Sequence, residues 1–303
     1  MRILVTDGMD PAAAAALRSM GHEVVEQFYD SDSLGAALRG FDAVVVRSKT
    51  KIRRTHLDEA RTGQLKLVIR GGVGMDNIDV DYARSCGIAV RNTPGASAES
   101  VAELAMAHMF SCARYLSIAG HTMREDRWEK KAYGNGIELP GKTLGIIGFG
   151  RIGQRLAVLA RAVGMEILAY DLYPVPGLDE RLGVSYVPLD ELLTRSDFIS
   201  LHTPAVAGRP LIDAEIIAKM KDGVNFINTS RGNNVDEDAL LAALDGGKIR
   251  AAGLDVFREE PSCDHALYSH PRVSCTPHIG ASTVEGQKRV GAEIVEIIRS
   301  MES

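Results

Sequence analysis

Short β-branched runs that alternate with helical segments constrain the fold of this 303-residue chain more than any other feature. The first pairs are RILVT with DPAAAAALRSMG, HEVVEQ with SDSLGAALRG, DAVVVRS with a polar helix, and KLVIRGG with VDYARSCG. Strands that alternate with helices in this way are joined by crossover connections. The order therefore predicts βαβ units and a parallel sheet.

A second series of strand-like runs begins after a long helical segment at about 97–120. These runs are TLGIIGFG, EILAYD, VSYVPL, FISLHTP, GVNFINTSR, AAGLDVF and VSCTPHIG, again separated by helical patterns. We predict an α/β protein of two doubly wound parallel-sheet domains that are Rossmann-like. The first domain is expected at 1–95 together with a last helix at 282–303, and the second at 96–281.

Composition and charge argue against several classes of protein. The formal net charge of -5 lacks the basic excess that a general nucleic-acid binder shows. The longest apolar stretch, VAELAMAHMFSCARYLSIAG, is interrupted by Glu103, His108 and Arg114, so we expect no membrane span. Four scattered cysteines without a CxxC pair indicate reduced thiols, a cytoplasmic protein and no metal site.

A glycine-rich turn lies between a strand and a helix of the second series. Gly148, Gly150 and Gly153 follow KTLGIIG and open the helix RIGQRLAVLARAVG, where free N–H groups favour a pyrophosphate. Asp171 ends the next strand, EILAYD, and its carboxylate suits two ribose hydroxyls but repels a 2′-phosphate. The pattern predicts NAD as the cofactor in preference to NADP.

Polar residues follow three later strands at the edge where a doubly wound sheet binds its ligands. They are Arg231 in NTSRG, Glu260 in LDVFREEP and His278 in TPHIG. Taken singly, an arginine after a strand is usually a surface residue, and a Glu-Glu-Pro segment is usually a turn. A single histidine before Ile-Gly is usually structural. Together, in this order, they resemble the late Arg, Glu and His of the D-isomer-specific 2-hydroxyacid dehydrogenases.

That resemblance spans nearly the whole chain, because RGGVGMDNID at 70–79, NTPGASAESVAE at 92–103 and LHTP at 201–204 also match. It implies an NAD-dependent oxidoreductase that acts on the CH–OH group of a 2-hydroxy acid. His278 would be the general base, and Glu260 would orient its ring and stabilise its charged form. Arg231 would bind the substrate carboxylate and polarise the carbonyl oxygen.

The resemblance also assigns further contacts and an assembly. It implies an NAD-binding second domain, a substrate-binding first domain, and a homodimer formed through the long helix near 97–120. The implied cofactor set is Val73, Gly148, Gly150, Arg151, Ile152, Gly153, Asp171, His202, Thr203, Pro204, Thr229, Ser230, Asp255, His278, Gly280 and Ala281.

Cations and a glycine loop mark the expected substrate side. Backbone N–H groups of Gly71, Gly72, Val73 and Gly74 suit a carboxylate, as in the family. The cations are Arg47, Lys49, Arg70, Lys130 and Lys131, with Arg231 as the carboxylate partner. A phosphate buries poorly without such partners, so a phosphorylated acid is favoured. The pattern is similar to the phosphoglycerate dehydrogenase branch, which implies oxidation of 3-phosphoglycerate, the first step of phosphorylated serine synthesis.

Alternatives remain open at this point. If the cations are merely solvated, the substrate is an unphosphorylated 2-keto acid such as hydroxypyruvate, glyoxylate or 2-ketoisocaproate. A more remote alternative is an NAD-sensing protein similar to the transcriptional corepressors of this fold. Ser230, Asn233, Asn234 and Val73 depart from the commoner family residues beside cofactor and substrate. A short form without a regulatory domain, and hence without serine feedback, is expected.

Overall fold

The protein divides into two compact units in a computed structural model that describes residues 1–262 and 265–301. Unit 1 comprises Met1–Ser97 and the segment from Ala281 onward, and unit 2 comprises Ala98–Gly280. Each unit contains its own parallel sheet with helices around it. The predicted α/β class with two doubly wound sheets is therefore confirmed.

Strand and helix alternate along the first 92 residues of unit 1. The elements are β1 (Arg2–Val5), α1 (Pro11–Ser19), β2 (Glu23–Glu26), α2 (Ser31–Leu38), β3 (Ala43–Val46), α3 (Arg54–Ala60), β4 (Leu67–Arg70), α4 (Val80–Ser85) and β5 (Ala89–Asn92). The strands are parallel in the order β2-β1-β3-β4-β5. Every residue of β3 is buried, as expected for a strand covered on both faces.

Unit 2 contains the larger sheet. Its elements are α5 (Ala98–Arg114), α6 (Leu116–Arg124), β6 (Thr143–Ile147), α7 (Arg151–Ala162), β7 (Glu166–Tyr170), α8 (Leu178–Leu182), β8 (Ser185–Tyr186), α9 (Leu189–Arg195), β9 (Phe198–Leu201), α10 (Ala214–Lys219), β10 (Val224–Asn228), a 3-10 turn (Gly232–Asn234), α11 (Glu237–Asp245), β11 (Ile249–Leu254), α12 (His265–Tyr268) and β12 (Val273–Cys275). The strands are parallel in the order β12-β11-β10-β9-β6-β7-β8. The chain thus winds outward in both directions from β6 and β9, whose carboxyl ends form the switch point where such sheets bind ligands.

The long helix predicted at about 97–120 is broken into α5 and α6. Tyr115 separates them with a left-handed backbone, at a φ of 59°. The Arg250 guanidinium donates hydrogen bonds to the Cys112 carbonyl at 3.0 Å and to the Tyr115 hydroxyl at 3.0 Å. The arginine therefore satisfies a carbonyl in the last turn of α5, which is a long-range contact that local sequence patterns do not reveal.

The last helix, α13 (Val284–Ser300), belongs to unit 1, where it packs against α1. A Cβ on Gly291 would lie 2.7 Å from the Cβ of Ala13, so the two helices approach closely at this glycine. Among the described residues, no helix is long and apolar enough to cross a membrane. The same residues contain no group of three or more His, Cys, Asp and Glu side chains that could hold a metal ion.

Candidate active site

The glycine turn after β6 has little space for a side chain at Gly148 and Gly153 but open space at Gly150. Gly148 has a φ of 90°, and a Cβ there would lie 2.8 Å from the carbonyl of His202. A Cβ on Gly153 would lie 2.5 Å from the Gly148 oxygen, whereas Gly150 has open space around the position of a Cβ. Since Gly150 directly precedes α7 and provides no side-chain cap, the first N–H groups of this 12-residue helix are available to an anion.

Asp171 follows β7 and is fixed against the glycine turn. Its Oδ2 accepts a hydrogen bond from the Phe149 N–H at 2.7 Å, and its Oδ1 accepts one from the Tyr173 N–H at 2.8 Å. Each carboxylate oxygen keeps a further lone pair for a ribose hydroxyl. Strand, turn, helix and acid thus fit a dinucleotide without a 2′-phosphate.

His202 lies at the other side of the switch point, directly after β9. Its Nε2 is 2.9 Å from the Ser200 hydroxyl, and its enclosed Nδ1 has no hydrogen-bond partner within residues 1–262 and 265–301. Burial lowers the pKa of His202 to about 4, so the ring is neutral at neutral pH. A buried nitrogen without a partner beside the glycine turn is consistent with a cofactor contact.

Asn234 holds the segment that follows His202. Its side-chain amide donates to the Thr203 hydroxyl at 3.0 Å and to the Pro204 carbonyl at 2.8 Å, and its oxygen accepts from the Val206 N–H at 2.9 Å. Asn234 is fully buried. The departure from the family pattern at Asn234 therefore has a structural role within the loop that carries two of the predicted cofactor residues.

Arg231 follows β10 in a loop shaped by Asn228. The Asn228 side chain accepts from the Ser230 N–H at 3.0 Å and donates to the Arg231 carbonyl at 2.9 Å. A Cβ on Gly232 would lie 1.9 Å from the Phe257 carbonyl carbon. The loop that carries Arg231 is thus in backbone contact with the loop that carries Glu260.

Glu260 and His278 form a close pair. The His278 Nδ1 lies 2.6 Å from the Glu260 Oε2, and the Glu260 Oε1 accepts a hydrogen bond from the Phe257 N–H at 3.1 Å. Burial, the largest single influence, acts to raise the pKa of Glu260. The hydrogen bond and charge of His278, the Phe257 N–H and the Arg231 charge together outweigh burial, so the pKa lies below its ordinary value. An Nδ1 that donates to a carboxylate leaves Nε2 as the nitrogen for proton transfer.

The description "D-isomer specific 2-hydroxyacid dehydrogenase, NAD binding domain" belongs to a family model that matches residues 106–280. The chain belongs to this family. It is an NAD-dependent oxidoreductase for 2-hydroxy acids, as predicted. The cofactor NAD, when bound, accepts or returns a hydride, and the glycine turn with Asp171 fits it.

Two curated relatives differ in the substrate that their names state. The chain is 49% identical to a hydroxypyruvate reductase of Thermotoga maritima, over 98% of this chain and 97% of the relative. It is 44% identical to a D-3-phosphoglycerate dehydrogenase of Methanocaldococcus jannaschii, over 99% of this chain but only 57% of the relative. A crystal structure of D-lactate dehydrogenase from Aquifex aeolicus, complexed with NAD and lactic acid, matches with a TM-score of 0.87. That match has 32% identity and covers 99% of this chain and 95% of the other.

In unit 1, two arginines lie at the carboxyl edge of the sheet. Val46 pairs with Arg70 across β3 and β4, so Arg47 directly follows a residue that neighbours Arg70. A Cβ on Gly72 would overlap the Arg70 guanidinium, which therefore covers the glycine loop. The Arg47 N–H donates to the Asp7 carboxylate at 2.8 Å, which anchors the loop after β3 to the turn after β1.

The lysines predicted for the substrate lie in different settings. The Lys49 ammonium lies 3.9 Å from the centre of the Phe28 ring, a cation–π contact within unit 1. Lys130 and Lys131 are exposed in the segment between α6 and β6 of unit 2. Two groups of the predicted residues are held close to neighbouring loops. One is the pair Arg47 and Arg70 in unit 1, and the other is Arg231, Glu260 and His278 in unit 2.

Asp255 was predicted to touch the cofactor, and its contacts within the protein are extensive. Its carboxylate is buried and accepts hydrogen bonds from the Thr276 hydroxyl at 2.6 Å and from the Ile279 and Gly280 N–H groups, each at 2.8 Å. Sequence reasoning did not assign a role to Thr276 or to His108, which contacts it at 3.1 Å. The sequence feature that could have indicated a role for His108 is its place among the apolar residues Ala105, Met106 and Met109 of α5.

Proposed function

We propose that the protein interconverts 3-phosphoglycerate and 3-phosphohydroxypyruvate, the first step of phosphorylated serine synthesis. The observation that carries the proposal is the pair of guanidinium groups, Arg47 and Arg70, beside the glycine loop of unit 1, with Lys49 two residues further on. Several cations exceed what a single carboxylate needs, whereas a phosphate with about two negative charges needs them. Unit 1 is accordingly proposed as the substrate-binding domain.

The proposed roles in unit 2 follow from the contacts of its side chains. The Nε2 of His278 removes the hydroxyl proton during oxidation and returns it during reduction. Glu260 holds the ring through Nδ1 and stabilises the imidazolium that forms. Arg231 binds the substrate carboxylate and stabilises negative charge on the carbonyl oxygen.

Reduction of hydroxypyruvate is the second candidate function. Hydroxypyruvate and 3-phosphohydroxypyruvate share a three-carbon skeleton and differ only in the phosphate. The 49% identity to a hydroxypyruvate reductase over nearly the full length of both chains favours this alternative. The stacking of Lys49 on Phe28 also favours it, because a lysine with an aromatic partner already has a structural role.

The deciding experiment is NADH oxidation by the purified protein with 3-phosphohydroxypyruvate, hydroxypyruvate, glyoxylate and 2-ketoisocaproate. The proposal predicts the highest kcat/KM for the phosphorylated acid. Arg47→Gln should then raise KM for that acid by at least tenfold, and should leave KM for hydroxypyruvate within about twofold. A preference for hydroxypyruvate in the wild-type protein would replace the first proposal with the second.

Two variants test the catalytic assignments independently of the substrate. His278→Ala should abolish turnover and retain NADH binding, measured by fluorescence titration. Arg231→Ala should lose kcat and substrate affinity together. Normal kinetics in either variant would remove that residue from its proposed role.

We further propose a homodimer and a cytoplasmic location. Phe110, Leu116, Met123 and Trp128 leave large apolar areas exposed on α5, α6 and the segment after α6, with Trp128 78% exposed. Leu116→Glu should convert a dimer into monomers in sedimentation velocity, and an unchanged mass would exclude this surface as the dimer interface.

The free thiols at Cys86, Cys112 and Cys275 support the proposed location in the reducing cytoplasm.

A further inference from the structure

A buried histidine on α5 connects to the loop that carries His278. His108 is only 2% exposed, and its ring lies between two hydroxyl groups of β12 and the residue after it. The Nδ1 is 3.0 Å from the Ser274 hydroxyl, and the Nε2 is 3.1 Å from the Thr276 hydroxyl. Gly253 makes room for the ring, since a Cβ there would lie 2.5 Å from the His108 Cβ.

The hydrogen bonds of this cluster have one consistent direction. The Thr276 hydroxyl donates its only proton to the Asp255 Oδ1 at 2.6 Å, so its oxygen accepts from His108. The Nε2 of His108 therefore carries the proton, and its Nδ1 accepts from Ser274. Burial lowers the pKa of His108 against the opposing charge of Asp255, which agrees with a neutral ring that carries a single proton.

At its other end the cluster holds the backbone on the far side of His278. The same Asp255 carboxylate accepts hydrogen bonds from the N–H groups of Ile279 and Gly280, each at 2.8 Å. Between these residues and Thr276, the backbone of His278 has a φ of 54°, in the left-handed region. A residue other than glycine keeps such a conformation only when its surroundings impose it.

We propose that His108 is a positioning residue that acts through Thr276 and Asp255 to hold the His278 backbone in this conformation. The proposal rests on the proposed role of His278 as the acid–base group. The described hydrogen bonds of the His108 ring are to Ser274 and Thr276, so His108 affects the reaction only through the position of His278. The expected cost of removing it comes from misplacement, because an error of about 1 Å at a reacting group costs up to about 100-fold in rate.

The test compares His108→Leu with His108→Gln. Leucine removes both hydrogen bonds, whereas glutamine keeps one donor and one acceptor. We expect His108→Leu to lower kcat by about 10- to 100-fold, with the substrate KM within about twofold of the wild-type value. In His108→Gln, kcat should be within about threefold of the wild-type value. Thr276→Val should lower kcat as much as His108→Leu does, and the double variant with both changes should lose no more than either single variant.

Amide hydrogen exchange followed by mass spectrometry provides a readout that does not depend on the reaction. Exchange should accelerate in peptides spanning 274–282 in His108→Leu and Thr276→Val, but not in His108→Gln or elsewhere in unit 2. Unchanged kcat in His108→Leu, equal losses in the glutamine and leucine variants, or faster exchange throughout unit 2 would each overturn the proposal. Should His278→Ala retain full turnover, the acid–base role fails, and the exchange data still decide whether His108 orders the loop.

Discussion

Replacing Glu260 by glutamine removes one negative charge beside His278 and keeps the size of the side chain. In the protein the Glu260 Oε2 lies 2.6 Å from the His278 Nδ1, and the two side chains are 36% and 34% exposed. In the proposed mechanism, the carboxylate stabilises the imidazolium, which is the form that donates a proton when a keto acid is reduced. Glutamine accepts the same hydrogen bond but without the charge.

The distance and the exposure together limit the magnitude. At an effective dielectric constant of about 20, two unit charges at this distance attract by about 6 kcal/mol before solvent screening. Because both groups are partly exposed and a neutral hydrogen bond remains, the net loss is about 1–2 kcal/mol. This loss corresponds to a roughly 5- to 30-fold lower kcat/KM.

The assay is kcat/KM for NADH-dependent reduction at neutral pH. Glu260→Gln should lower kcat/KM by roughly 5- to 30-fold, because the charge that stabilises the proposed proton donor is lost. Glu259→Gln, a change at the neighbouring exposed carboxylate, is the matched control and should leave kcat/KM within about twofold of the wild-type value. An unchanged kcat/KM in Glu260→Gln would refute the charge argument.

Three further predictions concern cofactor, stability and loop order. Asp171→Ala should raise the NADH Kd at least tenfold and narrow the preference for NADH over NADPH, because the proposed hydrogen bonds to the ribose and the expected repulsion of a 2′-phosphate are both lost; equal Kd values in wild type and variant would contradict this. His202 has a folded-state pKa of about 4, so the unfolded chain takes up its proton first and stability falls as the pH drops. The free energy of unfolding should decrease by about 2 kcal/mol from pH 7 to pH 5 through this group, and His202→Gln should remove that part of the slope in urea titrations. Asn234→Leu should cost about 2–3 kcal/mol and accelerate cleavage by proteinase K within 203–209, whereas an unchanged cleavage rate would separate Asn234 from the order of that loop.

The fold could be predicted from sequence because its signals are local. The burial of β3 on both faces follows from its apolar run, and the glycine turn after β6 needs only three glycines at a fixed spacing. The prediction of two parallel sheets depended on the alternation of strand and helix, and no long-range information was required. The order of the strands, in contrast, appears only in the folded molecule.

The features that sequence did not reveal depend on partners distant along the chain. Arg250 meets the end of α5 about 135 residues away in sequence, and so the break at Tyr115 was not anticipated. Lys49 was assigned to the substrate, but its contact with Phe28 arises from the folding of two loops of unit 1. His108 looked like an interruption of an apolar stretch until β12 placed two hydroxyl groups on its ring. Pattern and spacing identify residue types suited to a reaction, whereas orientation is set by tertiary contacts.

The contact between Gly232 and the Phe257 carbonyl also bears on how new specificities could arise in this protein. Any side chain at position 232 would force the two loops apart, and with them the arginine and the carboxylate that each loop presents. Mutational drift in either loop is thus restricted to changes that preserve their shared spacing. Asn233, which is exposed beside this glycine, escapes that restriction. Directed evolution toward larger acids should therefore leave glycine at position 232.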